Sequence, residues 1–190
     1  MLTREGRLFS QTLSAGDIFN IITSDEFLNL GSGHDSGKTM GLSSYYQDEF
    51  PEEFQDEWYY ELEGEMVSDP ELVNKLTSLK FKYDFEVRDD NMYYPSMLAK
   101  KLQLETERLT IFLIEKVLEM TPTKNVVLSG GYFMNCVNNF KYRKHFSNDI
   151  KFFIDPIPYD AGTCFGCAAQ VWMEHTGRKV DVPGDVYLGI

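Results

Sequence analysis

Residues 126–140 read VVLSGGYFMNCVNNF: an apolar run stops at two consecutive glycines and resumes with asparagines on a helical spacing. A short apolar run closed by glycine reads as a buried strand, NVVLSG, and residues 134–146 then suit a helix. A strand that turns into a helix through Ser129-Gly130-Gly131 presents backbone N–H groups at the helix start. The missing Cβ atoms let a phosphate or ribose come close to them. Gly130 and Gly131 are therefore candidate nucleotide contacts, and Asn135, one helical turn further on, is placed to bring a side-chain amide to the same ligand. The competing reading of the Gly-Gly pair is turn geometry with no ligand.

Outward from that stretch, KFFID (151–155) reads as another strand and residues 162–176 as a further helix. Between them PIPYDAGTCFG (156–166) sets Asp160 at a helix start. An aspartate there is either an N-cap or a carboxylate held at a ligand cleft, where it can bind a metal. Upstream, Leu98, Leu102, Leu109, Phe112, Leu113, Val117 and Met120 recur at three, four or seven residues, which predicts a helix from about Pro95 to Met120. A Thr-Pro-Thr break follows. Nearer the N-terminus, WYYELE (58–63) reads as a strand closed by Gly64. SDPELVNKLTSL (68–79) reads as a helix starting at Ser68 or Asp69 with Pro70 in its first turn, and IFNIIT (18–23) as a strand or a short helix. Strands alternating with helices predict an α/β protein whose sheet is parallel or mixed and covered by helices.

The loop GSGHDSGKTMG (31–41) ends in Gly-Lys-Thr, yet it is not a P-loop. That motif needs a glycine five residues before Gly37, where this chain has Ser32, and no apolar strand leads into it.

Length and composition bound the rest. At 190 residues with 43% apolar residues the expectation is one domain, 1–190. No stretch is long and apolar enough for a membrane span, and the N-terminus lacks the apolar core of a signal peptide, so a cytoplasmic protein is expected. Three cysteines do not make a disulfide framework. The net charge of -12 is concentrated: residues 47–66 hold nine carboxylates and no Lys or Arg, interleaved with Phe50, Phe54, Trp58, Tyr59 and Tyr60. Such aromatics are foreign to a disordered acidic tail, so the segment reads as an ordered surface, with docking of a basic partner as the sharper alternative. A chain this acidic does not grip a phosphate backbone by itself.

These fragments occur in an order that resembles the O-carbamoyltransferase family of the nodulation-protein and antibiotic-tailoring type (NodU/CmcH), in its actin-like domain. SAGDIFNIIT (14–23), GKTMGLSSY (37–45), MLAKKLQLETE (97–107), GGYFMNCVNN (130–139) and PIPYDAGTCFGCAA (156–169) are similar to successive segments of that family, and VYLG (186–189) to a segment shortly after. The resemblance implies an actin-like (ribonuclease H-like) lobe, a mixed sheet flanked by helices. It implies a carbamoyltransferase that makes carbamoyl-adenylate from carbamoyl phosphate and ATP and transfers the carbamoyl group to an acceptor hydroxyl. By position, Gly130, Gly131 and Asn135 contact the nucleotide, and Asp160 ligates a divalent metal, usually iron in relatives. Lys38 and Gly41 lie along the nucleotide cleft, with Lys38 a candidate phosphate or carbonyl contact.

The family's His-rich N-terminal lobe and adenylate-forming domain have no counterpart here, and His34, His145 and His175 are isolated. The chain thus resembles the second lobe alone. It is expected to need a partner chain carrying the His-rich lobe, with a small-molecule or modified-nucleotide acceptor; homo-oligomers stay open. Cys164 and Cys167 have CxxC spacing, but the resemblance places them, with Cys136, at packing positions rather than at a zinc or redox site. An actin-like kinase or ATPase subunit and an inactive binding scaffold are the two alternatives.

Overall fold

The computed structural model describes residues 13–180 together with the backbone of two short antiparallel strands, β1 (Leu2–Thr3) and β2 (Gly6–Arg7). The fold is mixed α/β, in two units, Met1–Pro122 and Thr123–Ile190, with the boundary in the Thr-Pro-Thr break. The VYLG segment lies outside the described residues.

In the first unit the ambiguous IFNIIT run is helical, within α1 (Ala15–Thr23). Ser14 caps it reciprocally: its Oγ accepts the Asp17 N–H at 3.1 Å and the Asp17 carboxylate accepts the Ser14 N–H at 3.3 Å. Ile18, Phe19 and Ile22 then bury one face. Residues 31–41, expected as a loop, form a 3-10 turn (Gly33–Asp35) and helix α2 (Ser36–Leu42). The helix forms because Thr39 and Leu42 are buried, Thr39 through a hydroxyl pair with Thr23 at 2.8 Å.

Strands β3 (Tyr59–Leu62) and β4 (Glu65–Ser68) make a hairpin whose turn residues, Glu63 (φ 53°) and Gly64 (φ 84°), both adopt the positive φ that a two-residue connection favours. Ser68 therefore belongs to the strand. The next helix, α3 (Leu72–Leu79), starts later than Ser68 or Asp69, and Asp69 accepts the Glu71 N–H at 2.8 Å instead.

Helix α4 (Tyr93–Met120) is the long helix that the apolar spacing predicts. Leu98, Leu102 and Leu109 of the predicted stripe are buried, whereas Met120 is exposed. Polar side chains are buried in it too. Lys101 and Glu105 pair at 2.7 Å, and the second Glu105 oxygen accepts the Trp58 N–H at 3.0 Å and Arg108 at 2.7 Å. Arg108 also reaches Glu57 at 3.0 Å and the Tyr59 carbonyl. The acidic segment 47–66 is thus ordered, as expected. Phe54, Trp58 and Tyr59 are buried, and cations from elsewhere in the unit meet part of its charge, Lys82 pairing with Glu53 as Arg108 does with Glu57.

The second unit runs β5 (Asn125–Leu128), a 3-10 turn (Gly131–Met134), α5 (Cys136–His145), β6 (Lys151–Ile154) and α6 (Ala161–Thr176). β5 and β6 pair in parallel, Asn125 with Lys151 through Leu128 with Ile154. The described strands form three separate pairs, not one sheet: the hairpin at 59–68 closes on itself, and only β5 and β6 are joined through a helix. Val127 and Phe153 are more than half exposed, and α6 buries no residue.

Removing Glu105 would strand Lys101 as an unpaired charge that is 6% exposed. Glu105→Ala is expected to destabilise the first unit by about 3–5 kcal/mol, the usual cost of breaking a buried ion pair from one side. Urea unfolding followed by tryptophan fluorescence at Trp58 reads it.

Candidate functional site

Parallel pairing sends the chain off β5 and off β6 at the same edge. The two bends singled out in the sequence are therefore neighbours, and they are bonded directly: the Gly130 N–H donates to the Pro158 carbonyl at 2.6 Å, and the Asp155 N–H to the Leu128 carbonyl at 3.2 Å. Gly130 has φ 113°, a conformation L residues rarely adopt, so this position requires glycine. Gly131 is different. A Cβ there would sit 3.8 Å from the Tyr159 Cβ, an ordinary contact.

The free N–H groups expected at this turn are corrected in one respect. The Gly130 N–H is committed to Pro158, so the glycine closes the two bends together, and what it offers a ligand is the open space where its Cβ would be. Asn135 is likewise turned toward its own helix: it is 7% exposed, and its Oδ1 caps α5 by accepting the Asn138 N–H at 3.1 Å.

Behind the turn lies a polar cluster that the sequence reading missed. Tyr132 and Tyr142 share a hydroxyl contact at 2.9 Å, and the Asn138 amide donates to the Tyr132 hydroxyl at 2.8 Å, with Asn138 and Tyr142 fully buried. The signal available was the Asn138/Tyr142 spacing of four on one helix face. Asn139 donates to the Phe133 carbonyl at 2.7 Å, while its Oδ1 is buried with no hydrogen-bond partner among the described residues.

The second bend is built for a close turn. The Asp155 carboxylate accepts the Ile157 N–H at 2.9 Å, and the Gly162 N–H donates to the Tyr159 carbonyl at 2.8 Å. A Cβ at Gly162 would run into the Ile157 carbonyl oxygen. Asp160 stands at the start of α6 but makes no side-chain cap, and it is exposed. It thus occupies the N-cap position without the side-chain hydrogen bond of a capping aspartate. Among the described residues no three His, Cys, Asp or Glu gather as a metal site.

Lys38 and Gly41 lie in the first unit, on α2. Lys38 pairs with Asp35 at 2.7 Å and donates to the Leu30 carbonyl at 3.2 Å; Gly41 is exposed. Hydrogen bonding from Lys38, then from the Ser32 backbone, holds the Asp35 carboxyl below the usual carboxylate range. The histidines are exposed, His145 packing edge-on against Phe146. The expectation that the cysteines are packing residues is overturned: Cys136 on α5 and Cys164 and Cys167 on α6 are free and exposed, and α6 has no buried residue among those described.

No family model matches this chain. An uncharacterized protein of Synechocystis sp. is 32% identical over 99 residues, covering 48% of this chain and 16% of that protein. The chain thus spans about a sixth of the length of the relative it matches.

Gly162→Ala is expected to push the Ile157 carbonyl aside at a cost of about 1–3 kcal/mol, the usual range for overpacking. Amide hydrogen exchange reads the local effect, with the Gly130 N–H that donates to Pro158 exchanging faster. Lys38→Met is expected to raise the Asp35 carboxyl toward its ordinary value, stopping short of it while the Ser32 N–H still donates, in a carbon-detected NMR titration. Because the folded value is depressed, the pair contributes stability above the unfolded carboxylate value, and that contribution disappears as pH falls through the folded one.

Proposed function

We propose that this chain is the second lobe of the actin-like transfer domain of an O-carbamoyltransferase. In this reading it acts with a partner polypeptide bearing a His-rich lobe, and the carbamoyl group moves from carbamoyl-adenylate to an acceptor hydroxyl. The observation that carries the reading is the bonded pair of bends at the C-terminal edge of two parallel strands. Ligands of α/β proteins settle at such edges, and both bends carry the motifs of the resemblance.

Each part of the edge has a role in this reading. Gly130 and Gly131 leave room for the nucleotide, and Asn135 holds the helix start that faces it. Asp160 projects its carboxylate to solvent at the same edge, as one ligand of a divalent metal, iron by resemblance. The remaining ligands come from the partner; Lys38 and Gly41, which the resemblance also assigns to the nucleotide, belong to the first unit and carry no part of this edge. When bound, the metal supplies orientation and charge neutralisation at phosphate oxygens. The chain's own task is to hold a reactive mixed anhydride beside the acceptor and exclude water. Exposed apolar residues on the strand pair and on α6 support a covering polypeptide, since parallel strands are ordinarily buried on both faces.

Titration of the labelled chain with AMP tests the site: amide shifts are expected at 129–135 and 157–162, and shifts elsewhere or none would sink it. The chain is then combined with a His-rich lobe, ATP, carbamoyl phosphate and a hydroxyl acceptor. Carbamoylated product is expected from the pair and negligible turnover from this chain alone. ADP without product would favour an actin-like kinase or ATPase, and neither would favour a scaffold.

A further inference from the structure

Cys164 and Cys167 stand three residues apart near the start of α6, so they share one side of the helix, and both thiols are exposed and free. Side chains at this spacing have Cβ atoms about 5–6 Å apart, whereas a disulfide needs roughly 3.5–4.5 Å. The pair therefore closes only if the helix turn between them gives way.

Two features let it give way. Gly166 lies between the two cysteines and Gly162 just before them, and glycine is the weakest helix former after proline. No described residue of α6 is buried, so little packing among the described residues holds the turn between the cysteines. Oxidants also reach both sulfurs from solvent.

We propose that Cys164 and Cys167 are a reversible oxidation site that forms an intrahelical disulfide with small-molecule disulfides. One cysteine, as thiolate, attacks the small disulfide; its S–S bond breaks, a mixed disulfide forms, and the departing thiolate takes up a proton. The second cysteine attacks the mixed disulfide and releases the other half as a thiol. In net, two protein S–H bonds become one S–S bond and the small disulfide becomes two thiols. Closure distorts the first turns of α6 and with them the bend that carries Asp160. The proposal stands on exposure and spacing in the chain without a covering polypeptide, the state in which it is tested, and does not need the carbamoyl-transfer reading.

The test incubates the native protein with glutathione disulfide and maps its cysteines by mass spectrometry. The peptide spanning 164–167 is expected to lose two hydrogens, reversibly with dithiothreitol, while Cys136, alone at the start of α5, carries a glutathione adduct. In Cys164→Ser and Cys167→Ser the remaining α6 thiol is expected to keep its adduct. Gly166→Ala meets open space at the added Cβ. It is expected to slow closure about fivefold, the factor given by the glycine-to-alanine difference in helix propensity. Adducts on both α6 thiols of the unaltered protein, thiols that fail to react, or a Gly166→Ala rate equal to the parent's would each overturn it.

Discussion

Two parallel strands joined through a helix must run in the same direction, so the segments that follow them leave from one edge. In this protein that constraint acts on β5 and β6, and it brings the Gly130 turn and the Tyr159–Gly162 turn together although about 30 residues separate them. The Gly130 to Pro158 hydrogen bond then locks the bends to each other. The candidate site consists of this edge and the groups it positions: an exposed carboxylate and a capped helix.

The first unit is organised by charge taken out of water. Glu105 is tolerated inside because each carboxylate oxygen has partners, Lys101 on one and the Trp58 N–H with Arg108 on the other. Because the Trp58 amide belongs to the acidic segment, the same carboxylate ties that segment to α4. The excess of negative charge along residues 47–66 is therefore a solvated face on an aromatic base, partly neutralised from within the unit.

The second unit has another character. Its buried side chains are few and largely polar, while Val127, Phe153, Val171 and Trp172 are each more than half exposed. A parallel strand pair with that surface departs from the rule that parallel strands are buried on both faces. The same exposure leaves the α6 thiols open to oxidants.

Much was legible in the residues. Regular spacing marked α4, the short apolar runs marked β5 and β6, and the glycines and Asp160 marked the two bends, because local patterns report local structure. The sequence by itself also determined that Gly37-Lys38-Thr39 is no P-loop, since that motif depends on spacing. Only the tertiary structure decided that residues 36–42 are helical, through the Thr39–Thr23 contact. It likewise decided that Glu105 and Lys101 lie inside and that Gly130 spends its N–H on Pro158. It also showed that the cysteines face solvent. Each of these outcomes depends on a partner distant in the chain or on the lack of one, and a burial set by remote neighbours leaves no periodic trace in the residues that undergo it.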